Sequence, residues 1–220
     1  MDISNKSIFC SFSGGKDSCL SLYKALERGA NLKYLFTMFT EEGKRSRSHG
    51  LQLKVLKEQA KSIETELIIG KASWNNYERV FIENIKKMED EDIEIGVFGD
   101  IDIIDHLKWV ENTLSVTKIL PYHPLWKEER KKLLKEFVDL GFKAKIVSLK
   151  KSLMDKKYLG KTLDYKLINE LESIGIDPCG EEGEFHTVVY DGPIFSYPLK
   201  LKEGKSILSN GYWFLDVKLT

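Results

Sequence analysis

The residues best suited to chemistry stand together near the N-terminus, in Ser11-Phe12-Ser13-Gly14-Gly15-Lys16-Asp17-Ser18. An apolar run, Ile8-Phe9-Cys10, precedes them, and Leu20, Tyr23, Ala25 and Leu26 follow at helical spacing until Gly29. The order is strand, glycine turn, helix N-terminus. Such a turn leaves backbone N–H groups unpaired at the positive end of a helix dipole, which suits an anionic phosphate chain. Gly14 and Gly15 allow close approach of the backbone, Lys16 supplies a compact positive charge, and Ser11, Ser13 and Ser18 carry hydroxyl donors. Asp17, in the first helical turn, is suited either to capping N–H groups or to holding a magnesium ion. The loop is not a Walker A motif, which needs a glycine five positions before Gly-Lys. Two other Gly-Lys pairs, Gly70-Lys71 and Gly204-Lys205, fail the same test because Thr65 and Leu199 occupy that position.

A second polar cluster lies far along the chain, in Asp177-Pro178-Cys179-Gly180-Glu181-Glu182-Gly183-Glu184-Phe185-His186-Thr187, ahead of the apolar run Val188-Val189-Tyr190. Core packing has no use for Glu184 or His186. A carboxylate there suits binding of ammonia, and an imidazole suits proton transfer near neutral pH. Gly99-Asp100-Ile101 forms a third cluster; the Asp100 carboxylate is placed to meet magnesium or a substrate amine, or else to cap the following helix. Arg45, Arg47 and His49 in the polar segment 41–50 form either a solvated connection or a flap over phosphates.

The elements that must position these groups alternate. Residues 32–39 and 67–69 and 95–98 read as buried strands, while apolar residues at helical spacing mark 53–60, 77–88 and 107–114. Strand–helix alternation implies an α/β fold, a doubly wound and mostly parallel sheet with ligands beyond the carboxyl ends of its strands. The loop at 13–16, the end of the strand near Met38 and Gly99-Asp100 then share one rim. Past Trp126 the pattern changes to a smaller α+β part, with a helix over 128–140, a strand over 142–149 and a hairpin over 205–219 turning at Ser209-Asn210-Gly211.

Composition narrows the classes. The chain has 220 residues with 34 basic and 34 acidic side chains, so net charge draws it neither to nucleic acid nor to membrane. Cys10, Cys19 and Cys179 have no zinc or redox spacing, and with no leader or long apolar span the expected location is the cytoplasm. Monomer and homodimer are equally compatible with the sequence.

Ser-Gly-Gly-Lys-Asp-Ser after a strand resembles the PP-loop of the N-type ATP pyrophosphatases. The match continues through Gly99-Asp100-Ile101, Pro124-Leu125-Trp126 and Gly180-Glu181-Glu182-Gly183-Glu184-Phe185-His186-Thr187 with Asp191-Gly192-Pro193. These segments are similar to the diphthine–ammonia ligase-like branch and cover about residues 7–200. The resemblance implies an HUP, adenine nucleotide alpha hydrolase-like fold, with a PP-loop ATP-binding domain over 1–126 and a substrate-binding domain over 127–220. It implies that ATP and magnesium are used to adenylate a carboxylate, releasing pyrophosphate, and that ammonia then displaces AMP. Residues 11–18 would hold the phosphates and Met38 would contact adenine, while Lys16, Asp100, Glu184 and His186 would carry catalysis. Diphthine-amidating members have glutamate where this chain has His186, which leaves the acid open between protein-borne diphthine and a small carboxylic acid. Two other readings remain: a PP-loop enzyme that modifies or thiolates tRNA, and an ATP-binding regulator without chemistry.

Overall fold

The computed structural model describes residues 1–47 and 49–220; Ser48, part of the polar segment noted above, lies outside the described residues. The chain divides into two compact units. The first comprises Met1–Ser13, Asp17–Arg47 and Glu64–Glu128. The second comprises Gly14–Lys16, Ser48–Ile63 and Glu129–Thr220.

The first unit is built on a five-stranded parallel sheet of β1 (Ser7–Ser11), β2 (Asn31–Phe39), β3 (Glu66–Lys71), β4 (Ile95–Val97) and β5 (Leu120–Tyr122), in the order β3-β2-β1-β4-β5. The centre of β1, Ile8-Phe9-Cys10, is fully buried, because a parallel strand with neighbours on both sides and cover on both faces has no solvated side. Helices α1 (Lys16–Glu27), α3 (Tyr77–Glu89) and α4 (Ile104–Leu114) connect the strands. Phe9, Phe36, Phe81, Ile85 and Val110 belong to one apolar cluster, in which the Phe9 ring meets Phe36 and Phe98 edge to face at 6.3 and 5.8 Å. Edge-to-face pairs of this kind bring the positive ring edge to the negative face and add about 0.5–1.5 kcal/mol to burial. The sheet order reverses between β1 and β4. Their carboxyl ends therefore flank the crevice in which doubly wound sheets bind ligands.

β5 is not legible as a strand in the sequence. Only three residues long and interrupted by Pro121, it survives as an edge strand, the one place in a sheet where a missing N–H costs no ladder bond.

The second unit holds an antiparallel sheet of β6 (Lys143–Lys150), β7 (Phe185–Asp191), β8 (Leu201–Ser209) and β9 (Tyr212–Leu219), in the order β7-β6-β9-β8. β8 and β9 form the expected hairpin, with Asn210 at φ 48° in its turn. The unit also contains α2 (Leu53–Ser62), α5 (Arg130–Asp139) and α6 (Tyr165–Ser173). Asp164 caps α6 by accepting from the Leu167 N–H at 2.7 Å. Ser62 at the end of α2 exchanges hydrogen bonds with Ser196 and Tyr197, which fixes the helix against the 192–199 segment. No helix among the described residues is long and apolar enough to cross a membrane.

Candidate active site

In the second unit, the turn Gly14-Gly15-Lys16 is held by residues distant in sequence. The Gly14 carbonyl accepts from the Val189 N–H at 2.9 Å and from the Gln59 side-chain amide at 3.0 Å. Gln59 is fully buried and its second amide hydrogen goes to the Val189 carbonyl at 2.7 Å, so one glutamine ties the turn to β7. Gly14 adopts φ +78°, a left-handed conformation costly for other residues, and a Cβ there would come 2.5 Å from Gln59 Oε1 and 2.8 Å from Leu56 Cδ2. A Cβ on Gly15 would collide with His49 Cε1 and approach the Thr187 carbonyl to 3.1 Å. Both glycines are therefore required by close contact as well as by the turn.

Lys16 is only 6% exposed. Its N–H donates to Thr187 Oγ1 at 3.1 Å, and its ammonium lies 3.4 Å from Glu181 Oε1. Glu181 belongs to the acidic stretch that the sequence marks, but a linear pattern assigns it no role, because its charge partner stands 165 residues away. The 177–184 loop owes its form to Asp177, whose carboxylate accepts from the Cys179 and Glu181 N–H groups and pairs with Arg130 at 2.7 Å. Glu184 is 5% exposed, and its Oε2 accepts from the Glu182 N–H at 2.9 Å. That carboxylate orders the loop directly beside the lysine's partner.

His49 Nδ1 lies 2.7 Å from the Thr187 carbonyl, an acceptor only, so Nδ1 carries the proton. Its ring packs on that of His186, with centroids 4.7 Å apart. Burial, reinforced by His49 and Lys16, pushes the His186 imidazole down to about 3. At neutral pH this ring is a hydrogen-bonding group without charge. The sequence suggests a proton carrier at this position; burial and neighbours that no linear pattern reveals hold it neutral.

In the first unit, Ser13 Oγ and Ser18 Oγ are 3.2 Å apart, with Ser18 buried in the first turn of α1 beside Asp17. Ser11 ends β1. Gly99 follows β4 and abuts that same first turn: its Cβ direction meets the Asp17 carbonyl carbon and the Ser18 nitrogen, each at 3.1 Å. Asp100 comes next. His106 Nδ1 lies 3.5 Å from its Oδ1, and His123 Nδ1 lies 3.3 Å from its Oδ2. Burial would raise the Asp100 carboxyl, but the two imidazoles outweigh it and hold the group down at about 2. Asp100 stands out in the sequence; His123 does not, since it sits 23 positions away in a segment that reads only as packing.

Met38 is buried in the apolar cluster and packs over Gly70, while its carbonyl accepts from the Arg47 N–H at 3.2 Å. The Arg47 guanidinium donates to the Ala72 carbonyl and lies 4.5 Å over the Trp74 ring. Arg47 is thus engaged with the 72–74 segment in the first unit, whereas His49 belongs to the cradle in the second. Cys10, Cys19 and Cys179 are buried thiols outside any disulfide among the described residues, and burial pushes the Cys10 and Cys19 thiols upward, away from the reactive thiolate. No group of three His, Cys, Asp or Glu side chains among the described residues could by itself hold a metal ion. Magnesium needs less, since it is normally bound by one or two carboxylates together with phosphate oxygens.

A parallel sheet of order 3-2-1-4-5 with a glycine–lysine turn opening a helix at its switch point defines a nucleotide-binding α/β protein. Residues 6–117 match the diphthamide synthase N-terminal domain and residues 129–219 match the diphthamide synthase C-terminal domain. The chain belongs to the diphthamide synthase family. It is similar to the diphthine–ammonia ligase of Homo sapiens, 24% identical over an alignment of 234 residues that covers 93% of this chain and 86% of that protein. The diphthine–ammonia ligase of Schizosaccharomyces pombe is 28% identical over an alignment of 230 residues that covers 94% of this chain and 38% of the longer yeast protein. Among solved structures, a predicted subunit of tRNA methyltransferase from Methanocaldococcus jannaschii aligns with a TM-score of 0.47 and 19% identity, over 83% of this chain and 96% of that one.

Proposed function

We propose that this chain is an ATP-dependent carboxylate–ammonia ligase that forms an acyl-adenylate and pyrophosphate, then an amide and AMP. The observation that carries this reading is the cradle around Lys16. A buried ammonium stands at the start of α1, behind two glycines that admit no side chain, with the acidic 181–184 loop against it. The match to relatives named as diphthine–ammonia ligases supports the same conclusion.

In this reading residues 11–18 receive the triphosphate of ATP. Backbone N–H groups at the helix N-terminus and the hydroxyls of Ser11, Ser13 and Ser18 bind phosphate oxygens, and Asp17 holds magnesium together with them. The carboxyl end of β2 at Met38 lies along adenine, by way of backbone groups since the Met38 side chain is packed inward. The acid's carboxylate oxygen attacks the α-phosphorus and pyrophosphate leaves. Lys16 turns from Glu181 to the phosphates, stabilising the charge that develops on the leaving group. Glu184 keeps the loop in shape, and His186, a neutral imidazole, orients the incoming nitrogen by hydrogen bonding. In the first unit, Asp100 follows Gly99 at the first turn of α1 and is the carboxylate available there to a substrate amine. The acid is either protein-borne diphthine or a small carboxylic acid. The enzyme acts in the cytoplasm.

The test is incubation of the purified chain with magnesium, α-labelled ATP, ammonium and either a diphthine-bearing translation factor or the acid fraction of a cell extract. Labelled AMP that depends on the acid and disappears in Lys16→Ala is the expected result. ADP as product would refute the mechanism, and a product thiolated on tRNA would replace it.

A further inference from the structure

His123 is a buried imidazole without an assigned role. Its side chain is 8% exposed, and among the described residues neither ring nitrogen has a hydrogen-bond partner; Asp100 Oδ2, at 3.3 Å from Nδ1, lies near enough for charge attraction but off the hydrogen-bond line. The ring's orientation is fixed by packing, stacked on Phe98 at 5.4 Å and met edge-on by Trp126 at 6.2 Å. Burying an imidazole with both nitrogens unpaired is costly, and a native protein that retains one commonly uses it. The other imidazole beside Asp100, that of His106, is 62% exposed and needs no such account.

The location gives the group a task. Asp100 and His123 follow the carboxyl ends of β4 and β5, and Gly99 touches the first turn of α1. Amide formation from ammonia releases a proton from the attacking nitrogen, and something must take it. His186 is a poor proton acceptor, because burial and its neighbours His49 and Lys16 disfavour the protonated ring. At His123 the neighbour is a carboxylate, Asp100 Oδ2 at 3.3 Å from Nδ1.

We propose that Asp100 and His123 form a carboxylate–imidazole dyad that serves as general base for the nitrogen nucleophile. This inference rests on the ligase reading above and adds to it a residue that the sequence did not single out. The nitrogen lone pair forms the C–N bond to the acyl carbon. One N–H proton passes to His123 Nε2, and the C–O bond to AMP breaks, its electron pair leaving on the phosphate oxygen. The imidazolium, balanced by Asp100, then returns its proton to solvent.

The experiment separates the two half-reactions in the full chain. Acid-dependent exchange of labelled pyrophosphate into ATP reads adenylation, and amide formation with ammonium chloride reads transfer, using the diphthine-bearing translation factor or the extract acids. His123→Gln is expected to keep exchange within about threefold of wild type and to lose about 100-fold in amide formation, the scale of a general base. Hydroxylamine, largely unprotonated at neutral pH and a stronger nucleophile, should recover product as the hydroxamate. Asp100→Asn should show the same split with a smaller loss, and His106→Gln should show none. Equal loss of both half-reactions in His123→Gln, or unaltered amide formation, would overturn the dyad while leaving the ligase reading intact. Absence of exchange in the wild-type chain with every acid would overturn the ligase reading, and the dyad with it.

Discussion

Two buried imidazoles, one in each unit, have opposite kinds of charged neighbour. His186 has Lys16 and His49 beside it, and its environment expels the proton. His123 has the Asp100 carboxylate 3.3 Å from its Nδ1. Both rings are held by aromatic stacking, on His49 and Phe98 respectively, so neither owes its orientation to hydrogen bonds alone. Residue type is common to the two; the charged side chain nearby is an ammonium for His186 and a carboxylate for His123. The same contrast extends to the acids. Glu181 is matched to a lysine at 3.4 Å, whereas Asp100 is matched to imidazoles.

The strongest way to break the cradle is to remove its cation. Lys16→Ala is expected to lower ATP turnover on the order of 100-fold or more, measured as AMP release, because the variant loses the charge that the helix start presents to the leaving group. If turnover is unaltered, the cradle is not the phosphate site. Gly15→Ala should come next. The added methyl group must displace His49 from its place over the turn, so ATP affinity by calorimetry should fall about tenfold and stability by about 1–3 kcal/mol in denaturant titration.

Acid titration sharpens the comparison of the two regions. His186 has a lowered folded-state pKa, so between about 3 and its ordinary value of 6.5 the unfolded chain binds the extra proton and stability falls as pH falls through that window. Asp100 is a carboxyl with a lowered pKa, so its contribution is full above its ordinary value of 3.8 and is lost as pH drops toward about 2. That contribution is about 1–2 kcal/mol after allowance for partial exposure. His186→Gln should flatten the stability profile in the upper window and Asp100→Asn in the lower one. Interchange of the two windows would contradict this assignment of charges. The smallest effect is expected from Gln59→Leu, about 1–2 kcal/mol lost in thermal or chemical unfolding, since the Gly14 carbonyl keeps its bond from Val189 while the Val189 carbonyl loses the glutamine.

The parallel sheet was legible because buried strands and amphipathic helices leave periodic signatures that survive without tertiary information. Residues 31–39 and 77–89 are clear examples. β5 escaped because three residues with a proline carry no period. The phosphate turn was legible for a different reason: Gly-Gly-Lys after a strand is a local backbone requirement, and everything it needs lies within about eight residues.

By itself, then, the sequence determined the order of strands and helices, the chemistry available at 11–18 and at 177–187, and the family to which these belong. Tertiary structure decided which of those groups are charged and what each one meets. Lys16 finds Glu181 and Thr187, Gly15 lies beneath His49, and Asp100 finds a histidine that reads in the sequence only as part of a packing segment. The physical reason is range. Backbone conformation and amphipathic period are set by near neighbours along the chain, whereas protonation is set by burial and by charges within a few ångströms in space, which folding alone brings together.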